Sequence, residues 1–530
     1  MDFGVHEQLI LMGLLIAIAA LLAAAPAVRV PYPIFLVLGG LALGFVPGVP
    51  SIALPPEVVL VAVLPPLLYS SAFFTSLREL RANMRPIGAL AIGLVVLTTC
   101  SVALVAHMAV DEMSWPAAFV LGAAVAPTDP IAATAIMHRL GVPRRIVTVV
   151  EGESLVNDGT ALVLYRVAVV AAVSGAFSLW DASWHFVWSI VGGVAIGLAV
   201  GYVVAAVRRR LDNPPVEVTI ALMTGYLAFI PANAADASGV LAVVTAGVFL
   251  GWHAPELTSV QTRLQGLATW EILNFVLNAL LFALVGLQLS RILDALQGSS
   301  TGQLIAWGLL VTGTVVLVRL VWVYTVSYLP KRFSVRLGRR DHVPPLGYPL
   351  VVAWGGMRGA VSLAAALAIP LTTDAGTPFP QRDLIIFLTF CVILGTLVVQ
   401  GLTLPAVIRA AHLEPDHRDE KEDAKARIKA ADAALARLEE LVGEDWVRED
   451  TAERMRGLYG FRRNRFTSRF DVDSDGAIEE QSQNYQRLRR ELLEAERGAI
   501  VDLRRQGVIN ADVERQLQRD LDLEDARLDV

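Results

Sequence analysis

Charge is scarce in this chain. Only 18% of its 530 residues are Asp, Glu, Lys or Arg, against about 25% in a soluble globular protein. Cysteine is scarcer still. Cys100 and Cys391 are the only two, and both fall in apolar stretches. That excludes a disulfide framework and a cysteine metal centre, and leaves them as small apolar filler. No Gly-x-x-x-x-Gly-Lys loop occurs, so nothing points to ATP use. No basic face accumulates, which excludes a nucleic-acid binder. A hydrophobic share of 55% excludes a disordered chain. The first residues, Met-Asp-Phe-Gly-Val-His-Glu, lack a positive n-region, so the first apolar stretch is read as a retained span and not a signal peptide.

What is present is an apolar body followed by a charged tail. Residues 1–412 carry 22 Lys+Arg against 20 Asp+Glu, and residues 413–530 carry 22 against 30. The expected domains are therefore 1–412 and 413–530. A spanning helix needs about 20 mostly apolar residues. Thirteen such stretches lie near 9–26, 33–48, 57–75, 86–108, 115–138, 147–171, 184–207, 216–231, 237–252, 270–289, 303–328, 346–370 and 384–408. The eighth and ninth are short enough to be one broken hairpin. With the N-terminus outside, the inner loops hold 16 Lys and Arg, and the outer loops hold only Arg291 and Arg382. This split fits the positive-inside rule and sends the tail to the cytoplasm. The expectation is an all-α polytopic membrane protein of thirteen spans.

Ionisable residues inside spans are costly and usually functional. Asp129, Glu153, Asp158 and Arg358 fall near the middle of their spans. Glu151 shares the span of Glu153 and Asp158. Arg166, Glu271 and Arg319 lie toward predicted ends and are read as snorkelling. Asp236 sits in the turn between spans 8 and 9. Span 5 reads Val-Ala-Pro-Thr-Asp-Pro-Ile over 125–131. Its two prolines interrupt the helical ladder, and Asp129-Pro130 has the form of a cap followed by a first helical residue. A half-helix is expected to begin there, with the Asp129 carboxylate meeting its exposed N–H groups and its positive dipole end. Span 12 carries Gly355, Gly356 and Gly359 around Arg358, a second break. The cation there would compensate carbonyl ends or a carboxylate. Interrupted spans at matching places in two halves point to a transporter site, although no repeat is visible residue by residue.

In span 6, Ser154 and Asp158 are four apart and share one helix face, and Glu153 and Asn157 form a second pair on the adjacent face. A hydroxyl beside a carboxylate makes a set of hard oxygen ligands suited to a small cation. The same buried carboxyl can take a proton instead, so cation and proton compete. Glu153 needs a partner, and Arg358 is the expected one.

Three long motifs resemble the cation/proton antiporter type 1 family, the sodium/proton exchangers. They are Ala-Pro-Thr-Asp-Pro at 126–130, Gly-Glu-Ser-Leu-Val-Asn-Asp-Gly-Thr-Ala at 152–161 and Gly-Gly-Met-Arg-Gly-Ala-Val-Ser-Leu-Ala at 355–364. Leu-Pro-Pro-Leu-Leu-Tyr at 64–69 and Ala-Leu-Val-Gly-Leu-Gln-Leu at 283–289 add to them. The resemblance implies a homodimeric, elevator-type fold with inverted repeats and crossed broken helices at spans 5 and 12. It implies electroneutral exchange of Na⁺ (or Li⁺, or K⁺) for H⁺ in the bacterial inner membrane, with no cofactor. Asp158 would take cation and proton in turn, beside Asn157. Thr128 and Ser154 would add ligand oxygens to the transported Na⁺, Asp129 would balance half-helix ends, and Glu153 would pair with Arg358 as a brace. Many members carry a glutamate where this chain has Ser70, which leaves the cation preference open. A K⁺/H⁺ antiporter, a cation channel and a tail-regulated membrane sensor remain as alternatives.

The tail reads as helices at about 418–442 and 480–506, with Gly507 ending the second and Asn510 capping a third. Residues 451–470 are Arg-rich and are read as a connecting span facing lipid headgroups or acidic parts of the tail. Asp471-Val-Asp473-Ser-Asp475-Gly476 resembles the start of a calcium loop, but its twelfth position is Ser482 where a glutamate is needed; a solvated acidic turn is the favoured reading.

Overall fold

The computed structural model describes residues 12–13, 16–17, 19–24, 31–46, 58–175, 179–296, 300–336, 345–413, 418–468, 477–526 and 528. Among these the chain is helical, with no strand beyond an isolated bridge between Thr372 and Pro378. It divides into two units, Met1–Pro415 and Asp416–Val530.

Prolines at positions whose N–H is unneeded open several helices of the first unit. Tyr32–Gly44 (α1) carries Pro33 in its first turn. Leu64–Phe74 (α2) carries Pro65 and Pro66 there and follows a π-helical turn, Val58–Val63. Met84–Ala109 (α3) is continuous through a π-helical turn at Ala89–Leu94, where Trp322 Nε1 donates to the Ala89 carbonyl at 3.0 Å. Trp115–Val125 (α4) is capped by Ser114. The chain then unwinds through 126–130 and resumes as Ile131–Arg139 (α5). Arg144–Ser174 (α6) runs unbroken for 31 residues and closes on Gly175, whose φ of +69° suits glycine.

Leu179–Arg208 (α7) is followed by Pro214–Ala234 (α8) and Gly239–Leu257 (α9). The last two are complete helices of 21 and 19 residues, not halves of one broken hairpin. The turn between them places Asp236 at φ +54°. Val260–Ala295 (α10) and Thr301–Arg336 (α11) are each 36 residues long. A second interrupted segment follows, Gly347–Trp354 (α12) and Ala360–Leu367 (α13). Arg382–Ala410 (α14) closes the unit and contains a third π-helical turn, Gly395–Gln400.

Eight helices among the described residues are long and apolar enough to cross a membrane. The broken pairs α4/α5 and α12/α13 stand where spans 5 and 12 are expected, and α1 and α2 stand at spans 2 and 3. Of the first expected span, residues 12–13, 16–17 and 19–24 are described, and they are helical. The apolar core falls into separate clusters. One gathers Tyr69 of α2 with Phe229, Val243, Leu250 and Trp270 from α8, α9 and α10. Another gathers α4, α13 and α14 around Leu121, Leu363 and Phe390. Close approach of α1 and α10 depends on Gly40 and Gly286, where an added Cβ would overlap the Ala283 and Val37 carbonyls of the facing helix.

The second unit has helices Arg418–Leu441 (α15), Glu449–Ser468 (α16), Ala477–Arg505 (α17) and Ala511–Ala526 (α18). The Arg-rich stretch read as a connection is therefore helical through Ser468. Its arginines bind α15: Arg456 donates to both Glu439 oxygens, at 2.8 and 3.2 Å, and Arg427 of α15 lies over the Phe466 ring of α16. Arg497 of α17 donates to Asp522 and Asp525 of α18 at 2.9 and 3.0 Å. Asn510 caps α18 as expected, accepting from Asp512 N and Val513 N. Residues 471–476, which hold the acidic part of the calcium-like loop, lie outside the described residues.

Candidate functional site

A helix broken inside an apolar body exposes unpaired carbonyls at one stump and unpaired N–H groups at the other. Here two such breaks meet. The Asp129 amide donates to the Met357 carbonyl at 2.8 Å, tying the 126–130 segment to the 355–359 segment. Asp129 Oδ1 accepts from Ile131 N at 3.0 Å, the first amide of α5, whose N-cap is Pro130, one residue later than expected from sequence. The same carboxylate lies against the entry to α13: a Cβ at Gly359 would overlap it. The carbonyl stumps are met by arginines. Arg358 Nε donates to Val125 O at 3.2 Å at the end of α4, and its Nη1 donates to Gly356 O. Arg319 donates to Ala353 O and Val352 O, each at 3.0 Å, at the end of α12.

Arg319 also takes the partner assigned to Arg358. Its Nη2 donates to Glu153 Oε2 at 2.8 Å and its Nη1 to Glu153 Oε1. The expected Glu153–Arg358 pair is therefore replaced by Glu153–Arg319. The reason is local: the guanidinium of Arg358 is committed to the α4 and Gly356 carbonyls. Arg319 does not snorkel. Position 319 lies midway along α11 and is fully buried. Arg166, by contrast, reaches Asn233 Oδ1 at 2.8 Å in exposed surroundings, and Glu271 is exposed.

The polar face of α6 meets the first break. Ser154 Oγ donates to the Thr128 carbonyl at 2.8 Å. Asn157 Nδ2 donates to Thr128 Oγ1 at 2.6 Å, and that hydroxyl stands 3.5 Å from Glu153 Oε1. Thr128 is thus gripped by both faces of α6. Asp158 is 4% exposed, and its Oδ1 meets no hydrogen-bond partner among the described residues. It lines a cavity of about 380 Å³ with Thr128, Asp129 and Ser154. The cavity continues to Glu151, whose side chain is 35% exposed. Asn157 and Glu153 do not line it.

The opposite wall comes from α2 and α10. Ser70 Oγ donates to Asn274 Oδ1 at 2.8 Å, and Asn274 and Asn278 both line the cavity. These asparagines were not singled out from sequence. Two amides four residues apart in an apolar helix share one face, and that spacing is the signal for them. Among the described residues no group of three or more His, Cys, Asp or Glu could hold a metal. The donors in the cavity are the carboxylates of Asp158, Asp129 and Glu151 with hydroxyls and amides, a set of oxygens suited to a hard cation.

The family model for the transmembrane sodium/hydrogen exchanger matches residues 13–410. An uncharacterized Na(+)/H(+) exchanger of Mycobacterium tuberculosis (strain ATCC 25618 / H37Rv) is 37% identical over 511 residues, covering 94% of this chain and 92% of its own length. The low-affinity Na(+)/H(+) antiporter NhaS1 of Synechocystis is 33% identical, covering 86% of this chain and 84% of its own. The sodium, potassium, lithium and rubidium/H(+) antiporter of Bacillus subtilis is 33% identical over 71% of this chain and 57% of its own. Among solved structures, the sodium proton antiporter MjNhaP1 of Methanocaldococcus jannaschii at pH 8 superposes with a TM-score of 0.60 at 20% identity, over 77% of this chain and 99% of that one.

Proposed function

The chain belongs to the sodium/hydrogen exchanger family, a family of secondary transporters and not of enzymes, and from that premise we propose that it exchanges Na⁺ for H⁺ at Asp158. The observation that carries this reading is the unengaged carboxylate oxygen of Asp158, buried at the wall of a cavity beside Ser154 and the broken 126–130 segment. A carboxylate held away from water must be neutralised. A proton does this covalently, and a cation does it with help from hydroxyl and main-chain oxygens. Only one can be present, so binding either expels the other.

Asp129 and Glu153 are each engaged at the crossing, and Ser70 adds no carboxylate. One exchanging carboxylate supports one-for-one, electroneutral exchange. The neutral facing wall of Ser70, Asn274 and Asn278 imposes no second charge on the cation, which leaves Li⁺ and K⁺ as further substrates. The Bacillus subtilis relative, named for four cations, favours that breadth.

Alternation would follow an elevator-type displacement of the crossed breaks within a homodimer in the bacterial inner membrane, with no cofactor. The inner-loop arginines support an outside N-terminus and a cytoplasmic tail. The test is the cation-induced pH change in proteoliposomes for wild type and Asp158→Asn, with Na⁺, Li⁺ and K⁺ compared. Loss of every response in the variant, insensitive to membrane potential in the wild type, is expected. Retained exchange in Asp158→Asn would overturn the assignment.

A further inference from the structure

A second cavity, of about 290 Å³, lies between α2, α8, α9 and the start of α10. Arg208, the last residue of α7, lines it and is 3% exposed. Among the described residues its one ion pair is long, with Nη2 at 3.7 Å from Glu217 Oε2. Among the described residues its Nε and Nη1 meet no acceptor. A buried guanidinium with unmet donors is costly, and its chemistry calls for an anion. Glu217 does not line the cavity, and its Oε1 is occupied by the Thr262 hydroxyl at 3.3 Å.

Two further features carry the same sign. Arg263 lines the cavity and is exposed. The N-terminal end of α10 begins there behind its Ser259 cap, with Thr258 and Thr262 in the wall, so the positive end of its dipole adds to the two arginines. The rest of the wall is apolar, including Phe74, Leu267 and Trp270. Leu264 and Leu267 continue as exposed apolar surface along α10. A basic recess with an apolar flank is the shape of an amphiphilic anion.

We propose that this cavity is a phosphate site, filled by the headgroup phosphate of an anionic phospholipid whose chains lie along Leu264 and Leu267. Guanidinium donors match phosphate oxygens in geometry and charge, and basic pockets between spanning helices suit such headgroups. The inference rests on the chain's being a membrane protein and not on the ion transported at Asp158.

The test uses the purified full chain, stripped of lipid in a neutral detergent, with bound ligand counted by native mass spectrometry. Short-chain phosphatidylglycerol, short-chain phosphatidylcholine and inorganic phosphate are the probes. Saturable binding of phosphatidylglycerol, at least tenfold tighter than phosphatidylcholine and undisturbed by millimolar phosphate, is expected. The double variant Arg208→Gln/Glu217→Gln, which strands no carboxylate, should bind phosphatidylglycerol at least tenfold more weakly. The exposed-site variant Arg263→Gln should bind it at least threefold more weakly, and it decides the matter if the double variant is not monodisperse. Equal binding of the two lipids, or unchanged affinity in Arg263→Gln, overturns the site. Displacement of the lipid by inorganic phosphate overturns the lipid as its source.

Discussion

Arg319 and Glu153, 166 residues apart in sequence, meet with both side chains at most 1% exposed. The same guanidinium closes the carbonyl end of α12. One residue of an outer helix thus fixes both the polar helix α6 and one half of the crossing.

Removing that guanidinium strands a buried carboxylate and two carbonyls. Arg319→Ala should lower stability by about 3–5 kcal/mol, the usual cost of breaking a buried pair from one side. Thermal unfolding followed by fluorescence-detected gel filtration measures it. A variant within about 0.5 kcal/mol of wild type, the range of ordinary surface changes, would show that Arg319 is not a brace.

The pairing can be read directly by double-mutant cycles. Glu153→Gln should couple to Arg319→Lys by roughly 1–3 kcal/mol and to Arg358→Lys by much less, since coupling follows direct contact. The reverse order would restore Arg358 as the partner of Glu153.

At Gly359 a methyl group has no room beside the Asp129 carboxylate. Gly359→Ala should therefore disturb the cap on α5 and depress exchange at least tenfold, a loss of about 1.4 kcal/mol in transition-state terms. Proteoliposome flux normalised to folded protein tests this, and wild-type flux would refute the close approach.

Ser154→Ala removes a hydroxyl from the cavity wall and a neutral hydrogen bond to Thr128. Such bonds contribute about 0.5–1.5 kcal/mol, so the apparent cation affinity should weaken roughly 2- to 12-fold while protein yield is kept. An unchanged concentration dependence would place Ser154 outside the cation's shell.

In the tail, the Arg456 hydrogen bond holds the Glu439 carboxyl below its usual range. A depressed pKa adds stability above the unfolded-state value, and this is lost as pH falls through the folded value. Amide protection across α15 and α16, the exchange rate taken relative to the intrinsic rate at the same pH, should therefore fall on acidification below about pH 4, near the ordinary glutamate range. In Arg456→Gln that pH step should shrink.

Both breaks were legible because prolines and glycines interrupt a helix wherever they fall, and the two faces of α6 were legible because a four-residue spacing fixes a face. The partner of Glu153 was not. Residue 319 looked close to a span end because the apolar stretch stops near 328, yet the helix continues to Arg336. The cavity wall at Asn274 and Asn278 was passed over because amides carry no charge to mark them. The π-helical turns have no compositional signature, since they differ from an α-helix by one residue of winding. Helix α16 was missed because its arginines leave little apolar stripe; its partners are the acids of α15.

The crossing also has an electrical consequence. Arg319 and Arg358 bring two positive charges to it, and Glu153 and Asp129 bring two negative ones, each engaged by a neighbour in this framework. Under the proposed displacement, that quartet would move no net charge through the membrane field. In the proposed cycle, the voltage felt is then set by Asp158 and by whatever rides on it.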